Sequence, residues 1–364
     1  MTFSIAIPVH NGAKYLKQTL ESAATQIRAA DEILVVDDAS TDQSKEVIDE
    51  FRKQYSLRYE HNAYPTGYVD AWNRAIQWST GEYVTILHQD DLLDPWYLEL
   101  VERAFEQYPA ALHLYTGYKY IDNHGKVVKQ SPFPHDATPH YVAGPEYARQ
   151  YLRGVAVNAH IHRCPGVTTQ RSFLLHHPYR KEAGLIADDD FFIRAGKYTN
   201  VIGIGLTLAS FRIHDDSATS RLESLSHELA HDYLHSIGFH NQNREFLDDE
   251  GRNIIARLAS RFINQLLFDG EKNGNETWIA AALQYSVEMN SLEPRWKKLY
   301  LPLWANILWM FKERGTNAPH VARWYCKVLE MLLRMKQMSD DLFQTRQKAI
   351  SKVNDGKGRH ESSM

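Results

Sequence analysis

Two pairs of adjacent aspartates have the residue type and position to do chemistry. One pair is Asp37 and Asp38, the other is Asp90 and Asp91, and each follows a short apolar segment rich in β-branched residues. Such segments are typical of buried strands. If both strands share one parallel sheet, the four carboxylates meet at its carboxyl edge, where such sheets bind ligands. A single acidic pair can merely start a turn or cap a helix, but two pairs at two strand ends favour a ligand or metal site.

A third acidic group lies in the second half of the chain. Asp188, Asp189 and Asp190 directly precede the apolar residues 191–193 and Arg194. This order predicts a helix that carries acids in its first turn, where the helix dipole favours negative charge. The group is therefore either a set of helix-start residues or a source of a catalytic carboxylate.

The elements that would position these acids follow a regular order. Strand-like segments are predicted at 3–8, 33–36, 57–60, 83–87 and 111–116, with an amphipathic helix in each gap. This alternation predicts an α/β fold with a doubly wound, mostly parallel sheet.

The pattern changes after residue 116. Residues 123–125 predict a hairpin tip, 130–160 an irregular active-site flap, and 167–170 another strand. From Ser224 onward only helical stripes occur. We therefore expect an α/β domain at 1–220, an all-α region at 221–338 and a polar, disordered tail at 339–364.

Composition limits the classes of function. The 364 residues include 41 basic and 45 acidic side chains and carry a net charge of −4, so there is no electrostatic case for nucleic acid. The only cysteines, Cys164 and Cys326, are too few for a disulfide framework. We expect a cytoplasmic protein, because the N-terminus has no signal-peptide pattern and no apolar segment reaches about twenty residues.

Four sequence blocks, in order, resemble the family-2 nucleotide-sugar glycosyltransferases of GT-A fold. The resemblance covers residues 1 to about 216, and a weaker fifth block is Arg212-Ile213-His214. The four blocks are Ile5-Ala6-Ile7-Pro8-Val9-His10-Asn11-Gly12, Leu34 to Asp42, Leu87-His88-Gln89-Asp90-Asp91, and Ala187-Asp188 with Arg194. The resemblance implies a GT-A domain at 1–220 and an inverting transfer of sugar from a nucleotide diphosphate sugar, in particular a UDP-sugar, to an acceptor hydroxyl. It also implies a role in surface glycan biosynthesis, with a saccharide or lipid-linked saccharide as acceptor.

The resemblance assigns the nucleotide to the ends of the first strands. Asp38 would accept the ring N–H of a uracil-like base with Asp37 as support, His10 would offer a flat face, and Gly67 would let the backbone approach the nucleotide. The implied nucleotide-binding set is Pro8, Val9, His10, Asn11, Asp37, Asp38, Gly67 and Asp90.

The resemblance also implies a divalent cation on the diphosphate. Asp90, Asp91 and His214 would hold Mn²⁺ or Mg²⁺, and the imidazole favours Mn²⁺. The family often has an acid at the position of His88 and a glutamate at the position of Ala187, so this chain departs from the pattern at both ends of the site.

Asp188 matches the catalytic base of the family. It would take the proton of the acceptor hydroxyl as that oxygen attacks the anomeric carbon. Because an aspartate has an intrinsic pKa of about 3.9, we expect it to be ionised already and its position to matter more than its tuning. Asp189 and Asp190 are the rival assignments.

Other signals compete with this interpretation. His227-Glu228-Leu229-Ala230-His231 matches the zinc-peptidase pattern H-E-x-x-H, with Glu250 as a loose third ligand, but the solvated face of an amphipathic helix explains it better, because so short a motif recurs by chance. Alternating side chains could also form a metal site in the flap, at His160, His162 and Cys164. A non-catalytic nucleotide-sugar binding protein could share the fold, whereas a nucleotidyltransferase would need a Gly-rich phosphate loop that is absent after the first strand.

The last helical segments combine aromatic and basic residues. Residues 295–314 contain three tryptophans between basic ends, and 321–336 form a further apolar stripe. This composition fits an interfacial helix or a helix packed on its own domain or a second copy. We expect residues 221–338 to serve in homodimer or peripheral contact with the inner face of the cytoplasmic membrane and to take no part in the chemistry.

Overall fold

The computed structural model describes residues 1–130, 136–156, 160–214, 226–242 and 249–292. The chain divides into two compact units, Met1–Phe262 and Ile263–Met364. The first unit continues past the boundary near residue 220, so the three-part division stays a prediction. The segment 295–314, the stripe 321–336 and the tail 339–364 lie outside the described residues.

The core of the first unit is one mixed sheet. Within the described residues its strands are β1 (Phe3–Val9), β2 (Glu32–Asp37), β3 (Arg58–His61), β4 (Tyr83–Ile86), β5 (Leu92–Leu93), β6 (His113–Ile121), β7 (Val127–Gln130), β8 (His140–Val142), β9 (Val167–Gln170) and β10 (Val201–Arg212). The strand order is β3-β2-β1-β4-β9-β6-β10-β5, with β7 paired to β6 and β8 paired to β10.

Strand directions decide where the acids meet. β1 is parallel to β2 and β4, and β6 is parallel to β10. β9 is antiparallel to both β4 and β6, so β4 and β6 point the same way. The carboxyl ends of β1, β2, β4, β6 and β10 therefore share one edge, as predicted for a ligand-binding crevice.

Helices separate the strands along the chain. Within the described residues they are α1 (Ala13–Ala24), α2 (Ser44–Phe51), α3 (Tyr68–Trp78), α4 (Tyr97–Gln107), α5 (Gly144–Ala156), α6 (Arg171–His176), α7 (Ala187–Tyr198), α8 (Ser226–Gln242), α9 (Asp249–Asn273) and α10 (Glu276–Leu292). Each amphipathic helix buries its apolar stripe; in α4, for example, Leu98, Val101 and Phe105 are fully buried. Strand β1 is buried along its whole length, and this explains its continuous apolar run.

The region 130–160 differs from the irregular flap that the sequence predicts. It contains strand β8 and the helix α5, and α5 buries Tyr147, Tyr151 and Val155 at helical spacing. The prolines before it and the glycine at position 154 conceal this pattern in the sequence. The hairpin at 123–125 is confirmed, because β6 and β7 pair around it.

The described part of the chain has no helix with the length and apolar character needed to cross a bilayer.

Candidate active site

The end of β1 forms a hydrogen-bonded corner with the end of β2. The Nδ1 of His10 lies 2.7 Å from the backbone carbonyl oxygen of Asp38, so this ring nitrogen carries the proton and donates it. Gln89 closes the corner, because its Oε1 accepts the His10 N–H at 2.7 Å and its Nε2 donates to the His10 carbonyl at 3.1 Å. The Oδ1 of Asn11 accepts a backbone N–H from the loop after β2. The predicted residues at the end of β1 thus lie together, and His10 is exposed.

Asp38 organises the loop that contains Gly67. Its carboxylate accepts the Asn62 side-chain N–H at 2.7 Å and the backbone N–H groups of Thr66 and Gly67 at 2.9 and 3.0 Å. Burial opposes ionisation, but these hydrogen bonds lower the pKa of Asp38. Gly67 has a φ of +91°, which favours glycine. Asp38 is therefore an ionised anchor for this loop, and its bond to a base N–H stays a prediction.

Asp37 supports the same corner from inside the protein. Its Oδ2 accepts the Tyr59 hydroxyl at 2.9 Å, and its Oδ1 accepts the Ser40 N–H at 2.8 Å. Both carboxylates of the first acidic pair are buried and hydrogen-bonded. The pair shapes the nucleoside end of the crevice.

Asp90 and His214 meet at the end of β4. The Nε2 of His214 lies 2.8 Å from the Oδ2 of Asp90, although the two residues are 124 positions apart in the sequence. Arg212 fastens this contact, because it is fully buried and its Nε donates to the Asp90 carbonyl at 2.7 Å. A carboxylate oxygen and an imidazole nitrogen are therefore adjacent, as the predicted metal site requires.

Asp91 is oriented differently from Asp90. Its Oδ1 accepts the Arg212 N–H at 2.8 Å, and its Oδ2 is buried without a hydrogen-bond partner among the described residues. Burial and the negative charge of Asp90 raise the pKa of Asp91 well above its usual range. A buried carboxylate oxygen that lacks a partner beside an Asp–His pair fits a site for a hard cation. The donor set is suited to Mn²⁺ or Mg²⁺, and the ligand assignment stays a prediction.

His88 lies beside this site. Its ring stacks on Trp72 with centroids 5.2 Å apart, and its Nδ1 is 3.6 Å from the Oδ2 of Asp91. Burial lowers the pKa of His88, so the imidazole is neutral at pH 7. Where the family often has an acid, this chain places a neutral ring against the inner face of the acidic pair.

The three consecutive aspartates at the start of α7 have three different environments. Asp190 is fully buried and forms ion pairs with Arg180 and Arg194; the Nε of Arg194 is 2.8 Å from its Oδ2. Asp189 accepts the hydroxyls of Tyr151 and Tyr233 at 2.6 and 3.2 Å. These contacts occupy both carboxylates in structural roles.

Asp188 differs from its two neighbours. Its side chain keeps partial exposure, and its Oδ1 accepts the backbone N–H of Asp189 at 2.9 Å. Burial of its surroundings and the negative charge of Asp189 raise the pKa of Asp188 to about 7. The expectation that this carboxyl is fully ionised at neutral pH is therefore wrong, since desolvation outweighs the helix start and nearby Arg163.

Two helices, α3 and α8, hold the turn that leads into Asp188. Gly184 has a φ of +54°, and its carbonyl accepts the Tyr68 hydroxyl of α3 at 2.6 Å. The next N–H, of Leu185, donates to the Oδ2 of Asp232 on α8 at 2.8 Å. A Cβ at position 184 would lie 2.3 Å from that same oxygen, so only glycine fits this turn. Helix α8 therefore contributes Asp232 and Tyr233 to the surroundings of Asp188. The expectation that residues 221–338 take no part in the chemistry stays a prediction.

Asp91, after β4, and Asp188, at the start of α7, share two neighbouring residues. The charge of Arg163 acts on the carboxyls of Asp91 and Asp188, and both carboxyls act on the thiol of Cys164. The strand exits and the start of α7 are therefore within electrostatic range of the same two residues. Arg163 and Asp232 act on this region although no sequence motif indicates them, and the role of Gln89 is not apparent from the block that contains it.

The competing metal signals receive no support from the geometry. Across the described ranges no group of three or more His, Cys, Asp or Glu side chains is arranged to hold a metal, and this holds also for Asp90, Asp91 and His214, of which only Asp90 and His214 are in contact. Glu250, the loose third ligand of the peptidase pattern, accepts two hydrogen bonds from Arg153. In the flap, the Nε2 of His162 lies 2.8 Å from the Tyr147 hydroxyl, and burial raises the pKa of the Cys164 thiol well above its usual range.

The sheet order and the acids at the strand exits define an α/β protein of GT-A type. Residues 4–169 match the model of glycosyl transferase family 2. This part of the chain is therefore similar to the family that the sequence blocks predict.

Relatives and solved structures agree with this assignment. Glycosyltransferase GlyG of Streptococcus pneumoniae is 32% identical over 123 residues, which are 34% of this chain and 41% of that protein. The chain thus spans less than half the length of this curated relative. The crystal structure of S. aureus TarS 1–349 has a TM-score of 0.59 at 18% identity and covers 90% of this chain and 92% of that one. TarS 1–349 in complex with UDP-GlcNAc gives a TM-score of 0.58 at 17% identity, with the same coverage. At this identity the likeness shows the fold.

Proposed function

We propose that the protein is a glycosyltransferase that moves a sugar from a UDP-sugar to an acceptor hydroxyl with inversion at the anomeric carbon. The observation that supports the proposal is that three adjacent aspartates have different contacts. Asp189 accepts hydrogen bonds from two tyrosines and Asp190 forms ion pairs with two arginines, whereas Asp188 is a partly exposed residue whose carboxylate accepts only the adjacent backbone N–H among the contacts described. The complex of TarS with UDP-GlcNAc, on the same fold, supports a UDP-sugar as donor.

The reaction assigns one proton transfer to Asp188. The acceptor oxygen forms a bond to the anomeric carbon, and the bond from that carbon to the diphosphate oxygen breaks. Asp188 takes the hydroxyl proton during the attack. Because the base and the leaving diphosphate lie on opposite faces of the sugar, the configuration inverts. A base whose pKa is about 7 both accepts the proton at neutral pH and returns it to solvent afterwards.

The donor end would hold the nucleotide and its cation. Asp90, Asp91 and His214 would bind Mn²⁺ or Mg²⁺, and the cation would neutralise the leaving diphosphate. The corner of Pro8, Val9, His10 and Asn11 would seat the base, with Asp37, Asp38 and Gly67 shaping its pocket. Arg212 keeps Asp90 in place through the bond to its carbonyl.

We further propose a saccharide or lipid-linked saccharide as acceptor, in cytoplasmic assembly of a surface glycan. This part rests on the family resemblance. Homodimer formation or peripheral membrane contact through residues 221–338 belongs to the same proposal.

The direct test is nucleotide release from a panel of nucleotide sugars. The full-length protein is incubated with UDP-, GDP- and CMP-sugars, with Mn²⁺, Mg²⁺ or EDTA. We expect release of UDP that requires the cation, and fresh NMR spectra of the released sugar should show the inverted anomer. Asp188→Asn is the matched control and should bind UDP without releasing it from the donor. Wild-type protein that neither binds UDP nor releases it would overturn the proposal.

A further inference from the structure

A cationic and aromatic cluster lies next to Asp188, and the proposed reaction does not use it. We define the Arg163 cluster as Tyr118, Tyr120, Lys129, His160 and Arg163. The Nη2 of Arg163 is 3.5 Å from the Tyr120 hydroxyl, and Lys129 lies over the same ring with its Nζ 5.6 Å from the centroid. The hydroxyls of Tyr118 and Tyr120 are 3.2 Å apart, and Tyr118 donates to the His160 carbonyl at 3.3 Å.

Two nitrogen atoms of the cluster are buried and lack a hydrogen-bond partner. They are the Nε of Arg163 and the Nδ1 of His160, as judged within the described ranges. His160 is 7% exposed. Buried polar groups are nearly always hydrogen-bonded in native proteins, so unpaired ones point to a site for an ion, a water molecule or a ligand. Because an arginine Nε is only a donor, the partner that it lacks must be an acceptor.

The cluster has a positive potential. Burial would raise the pKa of the Tyr120 phenol, but Arg163 and Lys129 lower it below its usual range. Burial and the same two cations lower the pKa of His160 to about 4, so its imidazole is neutral and can donate one N–H. A potential that opposes protonation of a histidine and favours ionisation of a tyrosine attracts an anion.

The sheet order separates this cluster from the nucleoside end. β6, which carries Tyr118 and Tyr120, lies on the far side of β4 from β1 and β2. The Arg163 cluster therefore lies on the opposite side of β4 from the nucleoside corner. Tyr151 connects the cluster to the proposed base, because its ring lies 6.2 Å from that of His160 and its hydroxyl donates to Asp189, the neighbour of Asp188. The cluster is thus associated with the proposed base rather than with the nucleoside corner.

We propose that the Arg163 cluster is an anion-binding subsite that recognises a carboxylate, sulfate or phosphate group on the acceptor. The inference rests on the proposed glycosyltransferase function and names the class of acceptor, an anionic glycan. Arg163 supplies the buried charge and a free Nε–H, His160 supplies an N–H, and Lys129 supplies a second charge from the exposed hairpin. Charge balance for Asp188 and Asp189 is the competing explanation for Arg163, but it does not account for Lys129 or for the unpartnered His160.

The test uses a printed panel of matched glycan pairs. Each neutral glycan stands beside its sulfated or phosphorylated form, and each hexose stands beside its uronate. The full-length protein is applied with and without UDP and Mn²⁺, so that the diphosphate position can be filled. We expect the wild type to retain charged members about ten- to a hundred-fold better than neutral ones, the range of one or two charge-assisted hydrogen bonds.

The variants distinguish anion binding at the subsite from a general attraction of anions by surface charge. Arg163→Met should abolish the preference, and Lys129→Met should weaken it. Lys126→Met, which removes an exposed lysine from the same hairpin, is the matched control and should keep it. Equal retention of charged and neutral glycans by the wild type, or a preference that survives both Arg163→Met and Lys129→Met, would overturn the subsite. Because Lys129 is exposed, its variant stays informative if Arg163→Met fails to fold.

A second measurement tests whether the cluster binds the diphosphate of the donor instead of an anionic group of the acceptor. Calorimetry compares UDP and uridine binding to the wild type and to Lys129→Met, because Arg163 also acts on the carboxyl of Asp91. We expect unchanged affinities for both ligands, because the diphosphate would lie at the Asp90–His214 pair. A selective loss of UDP affinity would assign the cluster to the donor diphosphate and overturn the acceptor subsite. Absence of UDP binding in the wild type would instead overturn the proposed function, and the glycan preference would still be measured without UDP.

Discussion

The donor end and the base end of the crevice are built in different ways. At the proposed donor end, Asp38 directly follows β2 and Asp90 lies in the loop after β4, so the strand order places both at the same edge of the sheet. At the base end, Asp188 depends on hydrogen bonds from α3, α5 and α8, and the bonds of Tyr68, Tyr151 and Asp232 span 116, 38 and 47 positions. The first end is placed by local pattern and the second by long-range contacts.

The two ends also differ in the state of their carboxylates. Hydrogen bonds lower the pKa of Asp38, which stabilises its charged form. At Asp188, burial and a neighbouring aspartate raise the pKa to about 7, which destabilises the charged form. A binding residue gains from a stable charge, whereas a base needs affinity for a proton. The comparison therefore assigns binding to the strand exits and proton transfer to the start of α7.

The largest expected effect comes from removing the proposed base. Asp188→Asn keeps the size of the side chain but cannot take the proton. We expect turnover to fall by about two to four orders of magnitude, the usual size for a general base, with unchanged UDP affinity. UDP release and calorimetric UDP binding measure the two effects. If Asp188→Asn stays active while Asp189→Asn is inactive, the base is Asp189 and the roles assigned to these two residues are wrong.

The donor end is tested by the acidic pair after β4. In Asp90→Asn with Asp91→Asn, the amide oxygen at 91 can still accept the Arg212 N–H, so the fold should be kept. We expect the Mn²⁺-dependent part of UDP binding to be lost, a weakening of about ten-fold or more by comparison with defects in metal sites. Titration of UDP with Mn²⁺ and with EDTA measures it. Binding that stays cation-dependent in this variant would contradict the ligand assignment.

Residues whose roles come from local pattern could be predicted from the sequence. The acids after β2 and β4 follow apolar segments, and both strands lie next to β1 in parallel register, as expected. The sequence blocks also indicate the family, and the family match confirms it. His214 was paired with Asp90 only through the resemblance, and the structure places them 2.8 Å apart.

What the sequence could not predict depends on tertiary contacts. The environment of Asp188 is set by Tyr151 and Tyr233, which lie on helices that the sequence assigns to a flap and to a region outside the chemistry. The elevated pKa of Asp188 is a consequence of burial, and no property of three consecutive aspartates indicates which one is desolvated. The helical spacing of Tyr147, Tyr151 and Val155 was a usable signal for α5, and the nearby prolines and glycines obscured it.

A smaller effect tests whether α8 belongs to the base end. Asp232→Ala removes the acceptor of the Leu185 N–H, whereas Asp232→Asn keeps an oxygen that can accept it. We expect Asp232→Ala to lower kcat by about ten-fold and to lose about 1–3 kcal/mol of stability, the cost of leaving a buried donor unpaired. UDP affinity should not change in either variant. Equal kcat for the wild type and Asp232→Ala would place α8 outside the catalytic unit.

The smallest expected effect is a dependence on pH that sharpens the difference between the two ends. Because the pKa of Asp188 is raised to about 7 in the folded protein, kcat/KM should fall as the pH drops below about 7, where the base is protonated.

The folded state binds this proton more tightly than the unfolded chain, so this group makes stability decrease as pH rises from about 4 to about 7. Asp188→Asn removes that penalty, and its melting temperature should exceed that of the wild type at pH 8 but not at pH 4. Asp38 has a lowered pKa and shifts stability with the opposite sign, so Asp38→Asn should melt below the wild type at pH 8. Thermal melts of both variants at the two pH values measure the contrast, and a wild type that melts above Asp188→Asn at pH 8 would show that the base carboxyl is not desolvated.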